Sequence, residues 1–209
     1  MPSQRPLTVV KLGGSYAFSP VLGDWLEMVA RNAGHVVLVP GGGPFADAVR
    51  EAQPKMGFDE AAAHHMALLA MEQYGRALVS LNETLALASS VAAIRRLLSA
   101  GKLPVWAPTH MVLGRSDIPS SWDVTSDSLA AWLARRLRAR RLLLIKQIDP
   151  PADSIAADDL VRRGIVDRAF VSSLRACGIE ASIVGPAQHA AAAGALGRGE
   201  VIGSRIGFG

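Results

Sequence analysis

The sequence has a single cysteine, Cys177, and no long apolar run. One cysteine excludes an intramolecular disulfide and the paired spacing of a zinc finger, and it suits a reducing compartment. No stretch approaches the roughly 20 apolar residues that a membrane-spanning helix needs, and the N-terminus lacks the apolar core of a signal peptide. We therefore expect a soluble, cytoplasmic protein without a membrane partner.

Charged residues are few, at 19% of the chain, and lysine occurs only four times. Arginine therefore carries most of the positive charge, and the formal net charge of +4 suits anionic ligands. The basic run RRLRARR, residues 135–141, ends a helical pattern and has no interleaved aromatic side chains for stacking on bases. We interpret it as a solvated helix end and expect no nucleic-acid partner.

The sequence does have short apolar runs that alternate with alanine-rich helical periodicity, which is typical of an α/β protein. Strands are predicted over residues 7–12, 35–40, 103–107, 141–146 and 180–184. Helices are predicted over residues 19–33, 44–52, 59–80, 84–100, 126–140, 167–177 and 186–197. The length of 209 residues suits a single domain, and the Pro- and Asp-rich segment 147–159 is predicted to be a long loop at a lobe boundary.

A lysine interrupts the first apolar run, TVVKLGGS. Burying the Lys11 ammonium costs several kcal/mol unless an anionic group meets it. Gly13, Gly14 and Ser15 follow directly, and the second strand runs into a similar turn, Gly41 to Gly43. Because ligands of open α/β sheets bind at the carboxyl ends of the strands, phosphates between the two turns would provide that anionic partner.

Two other interpretations of the second turn stay open. Gly41, Gly43 and Ala46 fit a dinucleotide-binding pattern, but no second strand ending in an acidic residue follows about 20 positions later. A Walker A loop is absent, because no Gly-Lys-Ser/Thr follows at the required spacing. A purely structural turn from strand to helix is the second alternative.

Four segments in order resemble the amino acid kinase superfamily: K-x-G-G-S, P-G-G-G, VTSDSLAAWLA with LLLIK, and the C-terminal IVGPAQHAAAAGALGRGEVIGSRI. Within it, AHHMALLAMEQYG (63–75) and SWDVTSDSLAAWLA (121–134) resemble the [5-(aminomethyl)furan-3-yl]methyl phosphate kinases of methanofuran-type cofactor synthesis. The resemblance implies a three-layer αβα sandwich with a largely parallel sheet. It also implies an acceptor and phosphoryl-transfer lobe, 1–140, and a nucleotide-binding lobe, 141–209.

The resemblance implies catalytic roles for three charged residues. Lys11 would contact the transferring phosphoryl group; the alternative is a strand-end lysine whose ammonium reaches solvent. Asp127 would hold catalytic lysines in place; the alternative is a first-turn carboxylate favoured by the helix dipole, with Thr125 as the cap. Many relatives carry a second catalytic lysine in a later G-G-M-x-x-K segment, whose counterpart here, RRGIVDRAF, lacks it. Lys146, at the end of RLLLIK, is predicted to supply that second charge; the alternative is a solvated strand end.

The same resemblance assigns binding residues. The backbone N–H groups of both glycine turns, at Gly13, Gly14 and Gly41 to Gly43, would bind the phosphoryl group and the acceptor. ATP, carried with Mg²⁺, would lie against Asp149, Lys146 and Asp167; the alternative role of Asp167 is a helix cap. The acceptor-binding candidates are Ser15, His64, Arg115 and Thr125. His64 has a core or interface role as its alternative, and Arg115 that of a solvated loop residue.

The implied reaction is transfer of the γ-phosphoryl group of ATP to a phosphomonoester, most simply aminomethylfuranmethyl phosphate, to give a diphosphate. Relatives dimerise through helices, so the resemblance also implies a homo-oligomer, and the apolar, Met- and Ala-rich stretch 61–71 suits such contacts. Two alternatives stay open: a superfamily kinase that acts on a carboxylate or a nucleoside monophosphate, and a non-catalytic nucleotide- or oxyanion-binding protein. The missing G-G-M-x-x-K segment keeps the second alternative open.

Overall fold

The computed structural model describes residues 6–150, 153–198, 200 and 202–208. Within them one sheet of eight strands has the order β3-β4-β2-β1-β5-β7-β8-β6. The strands are β1 (Thr8–Leu12), β2 (Val36–Pro40), β3 (Leu85–Ala88), β4 (Leu103–Trp106), β5 (Arg141–Ile145), β6 (Ser154–Ala156), β7 (Glu180–Val184) and β8 (Ser204–Gly207). Every pairing is parallel except that of β7 with β8.

Nine α-helices lie in the described residues and cover both faces of the sheet. They are α1 (Leu22–Ala30), α2 (Gly43–Met56), α3 (Glu60–Leu81), α4 (Val91–Ser99), α5 (Thr109–Val112), α6 (Ser126–Leu137), α7 (Ala157–Arg162), α8 (Phe170–Cys177) and α9 (His189–Arg198). Short 3₁₀ turns cover Gly14–Phe18 and Pro186–Gln188. The α/β class and the three-layer sandwich predicted from the sequence are confirmed.

Alternation along the central strands separates two apolar cores. Val9 of β1 and Leu144 of β5 face α6 and α8, whereas Val10 and Leu143 face α1 and α9. Both strands are buried on both faces, which explains why their sequences lack polar alternation. Lys11 lies on the α6 side, because it is two residues after Val9.

The prediction of one helix over 84–100 is wrong in its first part. Leu85–Ala88 forms β3 at the edge of the sheet, and the helix begins only at Val91. Ser90 marks the boundary, since its hydroxyl accepts the N–H of Ala93 at 3.1 Å. An alternating LALA segment is too short for periodicity to separate strand from helix.

The segment 147–159 is not a loop throughout. It contains β6 and the beginning of α7, and two of its residues, 151 and 152, lie outside the described part of the chain. The C-terminal strand β8 was also absent from the prediction. In the described ranges no helix is long and apolar enough to cross a membrane.

Candidate active site

The two glycine turns meet at the carboxyl edge of the sheet. β1 and β2 are parallel neighbours with Leu12 beside Pro40, so the turns that follow them lie side by side. A Cβ atom on Gly14 would come within 2.7 Å of the Gly43 Cα. Gly43 itself has a φ of +55°, a conformation that favours glycine. Glycine is therefore required here by the close approach of two backbones.

Two of the backbone N–H groups predicted to bind a ligand already donate to backbone carbonyls. The Gly13 N–H donates to the Ile145 carbonyl at 3.0 Å, and the Gly41 N–H donates to the Leu12 carbonyl at 2.9 Å. Because each N–H group is already used between adjacent strands, the expectation that both bind a ligand needs correction. These two hydrogen bonds instead hold the turns against the sheet.

Four other amides lie at the beginnings of helices. The first 3₁₀ bond runs from the Tyr16 N–H to the Gly13 carbonyl, and the first bond of α2 runs from the Ala46 N–H to the Gly42 carbonyl. The N–H groups of Gly14, Ser15, Gly42 and Gly43 precede these bonds, and such groups require other partners. Together they form a site suited to an anion.

Replacement of Gly14 by alanine is expected to lower the free energy of unfolding by about 1–3 kcal/mol, because the new methyl group overlaps the Gly43 backbone. Urea titration measures the change. Gly23→Ala is the matched control: it lies in α1 with nothing within 4 Å of a Cβ atom, and alanine should stabilise that helix by about 0.5–1 kcal/mol. Equal stability of the two variants would contradict the close packing of the turns.

A carboxylate bridges two lysines beside the turns. Lys11 Nζ lies 2.9 Å from Asp127 Oδ1, and Lys146 Nζ donates to Asp127 Oδ2 at 2.7 Å. Lys146 also donates to the Ile165 carbonyl at 2.6 Å. The side chains of Lys11 and Asp127 are each 5% exposed and that of Lys146 is 13% exposed. The three charges therefore form a compact buried unit with one excess positive charge.

Strand register explains why the two lysines meet. Lys11 pairs with Leu144 across the parallel β1 and β5 ladder. Lys146 is two residues further along, so its side chain projects on the same face as that of Lys11. Asp127, in the first turn of α6, packs over this face. The Tyr16 hydroxyl donates to the Lys146 carbonyl at 2.8 Å and so fixes the end of β5.

The electrostatics of the unit follow from burial and mutual contact. Burial alone would raise the pKa of Asp127, but the ammonium groups of Lys11 and Lys146 outweigh it and lower that pKa to about 2. For Lys11, burial lowers the pKa to about 8, against the opposing effect of Asp127 and with a contribution from Lys146. Asp127 is thus ionised at neutral pH.

Asp167 caps the helix that carries Asp127. Its carboxylate accepts the backbone N–H of Thr125 at 3.0 Å, the Thr125 hydroxyl at 2.8 Å and the backbone N–H of Ser128 at 3.0 Å, and it also accepts the Ser128 hydroxyl. Burial, followed by repulsion from Asp127, raises the pKa of Asp167. Asp167 therefore has the helix-cap role that the sequence offered as its alternative, and its contact with nucleotide stays a prediction.

Asp149 follows β5, four residues after its last residue, Ile145. Its Oδ1 accepts the backbone N–H of Ala187 at 2.9 Å. A Cβ atom on Gly185 would overlap the Asp149 side chain. Asp149 therefore connects the end of β5 to the turn after β7.

A cavity of about 260 Å³ opens beside the glycine turns, between α2, α3 and the beginning of α6. His64 lines it and is 6% exposed, and burial followed by repulsion from His65 lowers its pKa. A neutral imidazole is expected there, which can donate a hydrogen bond without a charge. The lining residues are Gly14, Ser15, Gly41, Gly42, Gly43, Ala46, Asp47, Arg50, His64, Ala67, Leu68, Met71, Ser121, Trp122, Val124, Thr125, Ser126 and Leu129.

One acceptor candidate lies elsewhere. Arg115 does not line the cavity; its Nε lies 2.6 Å from Asp117 Oδ1, and its guanidinium lies 5.2 Å from the centre of the Trp132 ring. The structure therefore does not place Arg115 with the other acceptor candidates. Ser15, His64 and Thr125 do share the cavity.

Three cavity residues with charged or aromatic side chains were missed in the sequence. Asp47 and Arg50 lie on α2 and Trp122 on the loop before α6. Gly43, Asp47 and Arg50 are at positions i, i+4 and i+7, which lie on one helix face, and this spacing could have identified Asp47 and Arg50 from the sequence. Trp122 offered no such signal, because a loop has no such periodicity.

The fold and the site define an α/β protein in which two glycine turns, suited to an anion, lie beside a Lys-Asp-Lys unit. The amino acid kinase family profile matches residues 6–150, more than half of the sequence. The chain therefore belongs to the amino acid kinase family, as its motifs predicted.

Individual relatives agree with this assignment. The chain is 25% identical over 187 residues to the [5-(aminomethyl)furan-3-yl]methyl phosphate kinase of Methanocaldococcus jannaschii, covering 84% of this chain and 86% of that protein. The uridylate kinase of Archaeoglobus fulgidus superposes with a TM-score of 0.73 at 18% identity, over 96% of this chain and 100% of that one. The UMP kinase of Ureaplasma parvum gives 0.72 at 16% identity, over 97% and 99%. These two structures support the fold.

Proposed function

We propose that this kinase transfers the γ-phosphoryl group of ATP to the phosphate of a small phosphomonoester, [5-(aminomethyl)furan-3-yl]methyl phosphate. An acceptor phosphate oxygen attacks the γ-phosphorus, the bond from that phosphorus to the β,γ-bridging oxygen breaks, and ADP leaves. The product is a diphosphate. The acceptor is taken from the Methanocaldococcus jannaschii relative, whose similarity extends over most of both chains.

The observation that carries the proposal is the bridge of Asp127 between Lys11 and Lys146. Phosphoryl transfer needs alignment of the reactants and stabilisation of charge on the equatorial oxygens. Asp127 holds both ammonium groups in fixed positions, and the adjacent N–H groups of Gly14 and Gly43 add donors that need no reorganisation. This chain lacks the lysine of the G-G-M-x-x-K segment, but Lys146 places a second ammonium group on Asp127 beside that of Lys11.

The acceptor site in this proposal is the 260 Å³ cavity. Its wall includes Ser126, next to Asp127, so an acceptor there would lie close to the lysine pair. Leu68, Met71 and Leu129 offer apolar contact for a flat ring. His64 and the glycine amides would donate to the acceptor phosphate, and Thr125 would contribute less because its hydroxyl already donates to Asp167.

ATP is proposed to lie over residues 141–209, on the side of Lys146 and Asp149, with 1–140 as the acceptor lobe. Among the residues that the structure describes, no three His, Cys, Asp or Glu side chains are grouped to hold a metal ion. In this proposal Mg²⁺ would be carried by the phosphates of ATP and would supply charge neutralisation during the transfer. The protein's own contribution is the lysines and amides.

The test is a panel assay. Purified protein is incubated with ATP, Mg²⁺ and aminomethylfuranmethyl phosphate, nucleoside monophosphates or carboxylates, and products are identified by mass spectrometry. A diphosphate of the furan compound is the expected product. Preferential phosphorylation of UMP or a carboxylate would replace the acceptor, and ATP binding without transfer to any acceptor would indicate a non-catalytic binding protein.

Lys146→Met is expected to lower kcat by about 10- to 100-fold and to weaken ATP binding, because it removes one charge-assisted donor to the phosphates. Steady-state kinetics and calorimetry with ATP measure the two effects. Lys102→Met is the control, since Lys102 donates to the Glu83 carbonyl in an exposed position away from the site. Unchanged kcat and unchanged ATP affinity in Lys146→Met would exclude Lys146 from the mechanism.

The homo-oligomer stays a prediction, as does the cytoplasmic location. Met66 and Leu69 of α3 are 38% and 40% exposed, so the helix presents apolar side chains at the surface. Sedimentation analysis of the purified protein measures the assembly.

A further inference from the structure

One face of α2 lines the acceptor cavity along its length. Gly43, Ala46, Asp47 and Arg50 are all in the wall, at positions i, i+3, i+4 and i+7. With a rise of 1.5 Å per residue, Asp47 lies about 6 Å and Arg50 about 10 Å along the helix from Gly43. The cavity therefore has an anion-binding end, formed by bare amides, and a charged end further along the same helix.

The charged end is an ion pair between Asp47 and Arg50. Arg50 Nη1 donates to Asp47 Oδ1 at 2.9 Å, and the Arg50 guanidinium lies 4.5 Å from the centre of the Trp122 ring. The Trp122 indole N–H donates in turn to Gln53 Oε1 at 2.7 Å. The guanidinium is thus held from two sides, whereas the Asp47 side chain is still 66% exposed at the mouth of the cavity.

A carboxylate has about four acceptor positions, so the bond from Arg50 leaves Asp47 able to accept from a ligand. An acceptor whose phosphate lies on the Gly42 and Gly43 amides would bring its other end to Asp47 after about 6 Å. That end would face a carboxylate, while the arginine beside it is already paired with the carboxylate and stacked on an indole. A cationic group complements this position.

We propose that Asp47 binds the ammonium group of the acceptor and selects a zwitterionic phosphomonoester over one without an amine. The inference rests on the proposed function, because the anionic end of the ligand is the phosphate that accepts the phosphoryl group. Arg50 is a positioning residue: it orients the Asp47 carboxylate and is itself oriented by Trp122.

The experiment compares two acceptors on three proteins by calorimetry and kinetics. The acceptors are aminomethylfuranmethyl phosphate and its analogue with a methyl group in place of the aminomethyl group. The proteins are the wild type, Asp47→Asn and the matched control Glu51→Gln, an exposed residue of the same helix that does not line the cavity. The wild type and Glu51→Gln should bind the amine about 10-fold or more tightly than the analogue, and Asp47→Asn should bind both alike.

Each outcome decides the inference. Equal binding of the two acceptors by the wild type, no binding of the amine, or an amine preference that survives in Asp47→Asn would overturn it. Preference for an analogue that carries a carboxylate in place of the amine would overturn it in favour of anion recognition by Arg50. An amine preference in binding without formation of ADP would leave the ammonium site in place and refute the proposed transfer. Equal kcat/KM for both acceptors would leave the proposed transfer in place and refute the ammonium site.

Discussion

Lys11→Met is expected to lower kcat by about 100- to 1000-fold, the usual cost of removing one donor aimed at a developing charge. The fold should survive, because Asp127 keeps its hydrogen bond to Lys146 at 2.7 Å and the methionine side chain fills similar space. ATP should still bind, since the glycine amides and Lys146 are unchanged. Steady-state kinetics with the best acceptor of the panel measures kcat.

Lys55→Met is the control for Lys11. Lys55 is exposed near the end of α2 and does not line the cavity, so its loss removes an equal charge without touching the site. Circular dichroism verifies that both variants are folded. Turnover of Lys11→Met close to that of Lys55→Met would remove Lys11 from the mechanism.

Asp127→Asn is expected to lower the free energy of unfolding by about 3–5 kcal/mol and to reduce kcat strongly. Removal of the carboxylate leaves two buried ammonium groups facing each other, and breaking a buried ion pair from one side costs this much. An amide also cannot hold both lysines, because its NH₂ group donates where a carboxylate oxygen would accept. Urea titration at neutral pH gives the stability change.

The variant Asp117→Asn is the control for Asp127→Asn, because it removes the charge of an exposed ion pair instead of a buried one. A hydrogen bond from Arg115 lowers the pKa of Asp117 to about 2, as the two lysines do for Asp127. The Asp117 side chain is 50% exposed, however, and such ion pairs contribute about 0–1 kcal/mol. A loss in Asp127→Asn as small as that in Asp117→Asn would show that the lysine bridge does not hold the site together.

The lowered pKa of Asp127 determines the direction in which the unfolding free energy changes with pH. Its folded pKa lies below its ordinary value of 3.8, so its contribution is present above that value and is lost as the pH falls toward 2. The stability of the wild type and that of Asp127→Asn should therefore converge in acid.

Local patterns were enough to predict the centre of the sheet. Buried parallel strands give continuous apolar runs, and glycines directly after β1 and β2 mark backbone turns that meet at one edge. The prediction missed both edge strands, β3 with the sequence LALA and β6 with the sequence SIA, and also β8, which lies next to β6. Strands of three or four residues are too short for a strand or a helix periodicity to be recognised.

The sequence by itself determined the α/β class, the family, the convergence of two glycine turns and the presence of an isolated lysine that required an anionic partner. Only the tertiary structure decided which partners the polar groups have. It gave Asp127 both Lys11 and Lys146, it used Asp167 as a helix cap, and it engaged the Gly13 and Gly41 amides between strands. These outcomes depend on strand register and on contacts between residues distant in the sequence, such as Tyr16 with Lys146, which are 130 positions apart. Periodicity reports which face a residue is on, but the pairing of side chains across elements is fixed only when those elements pack.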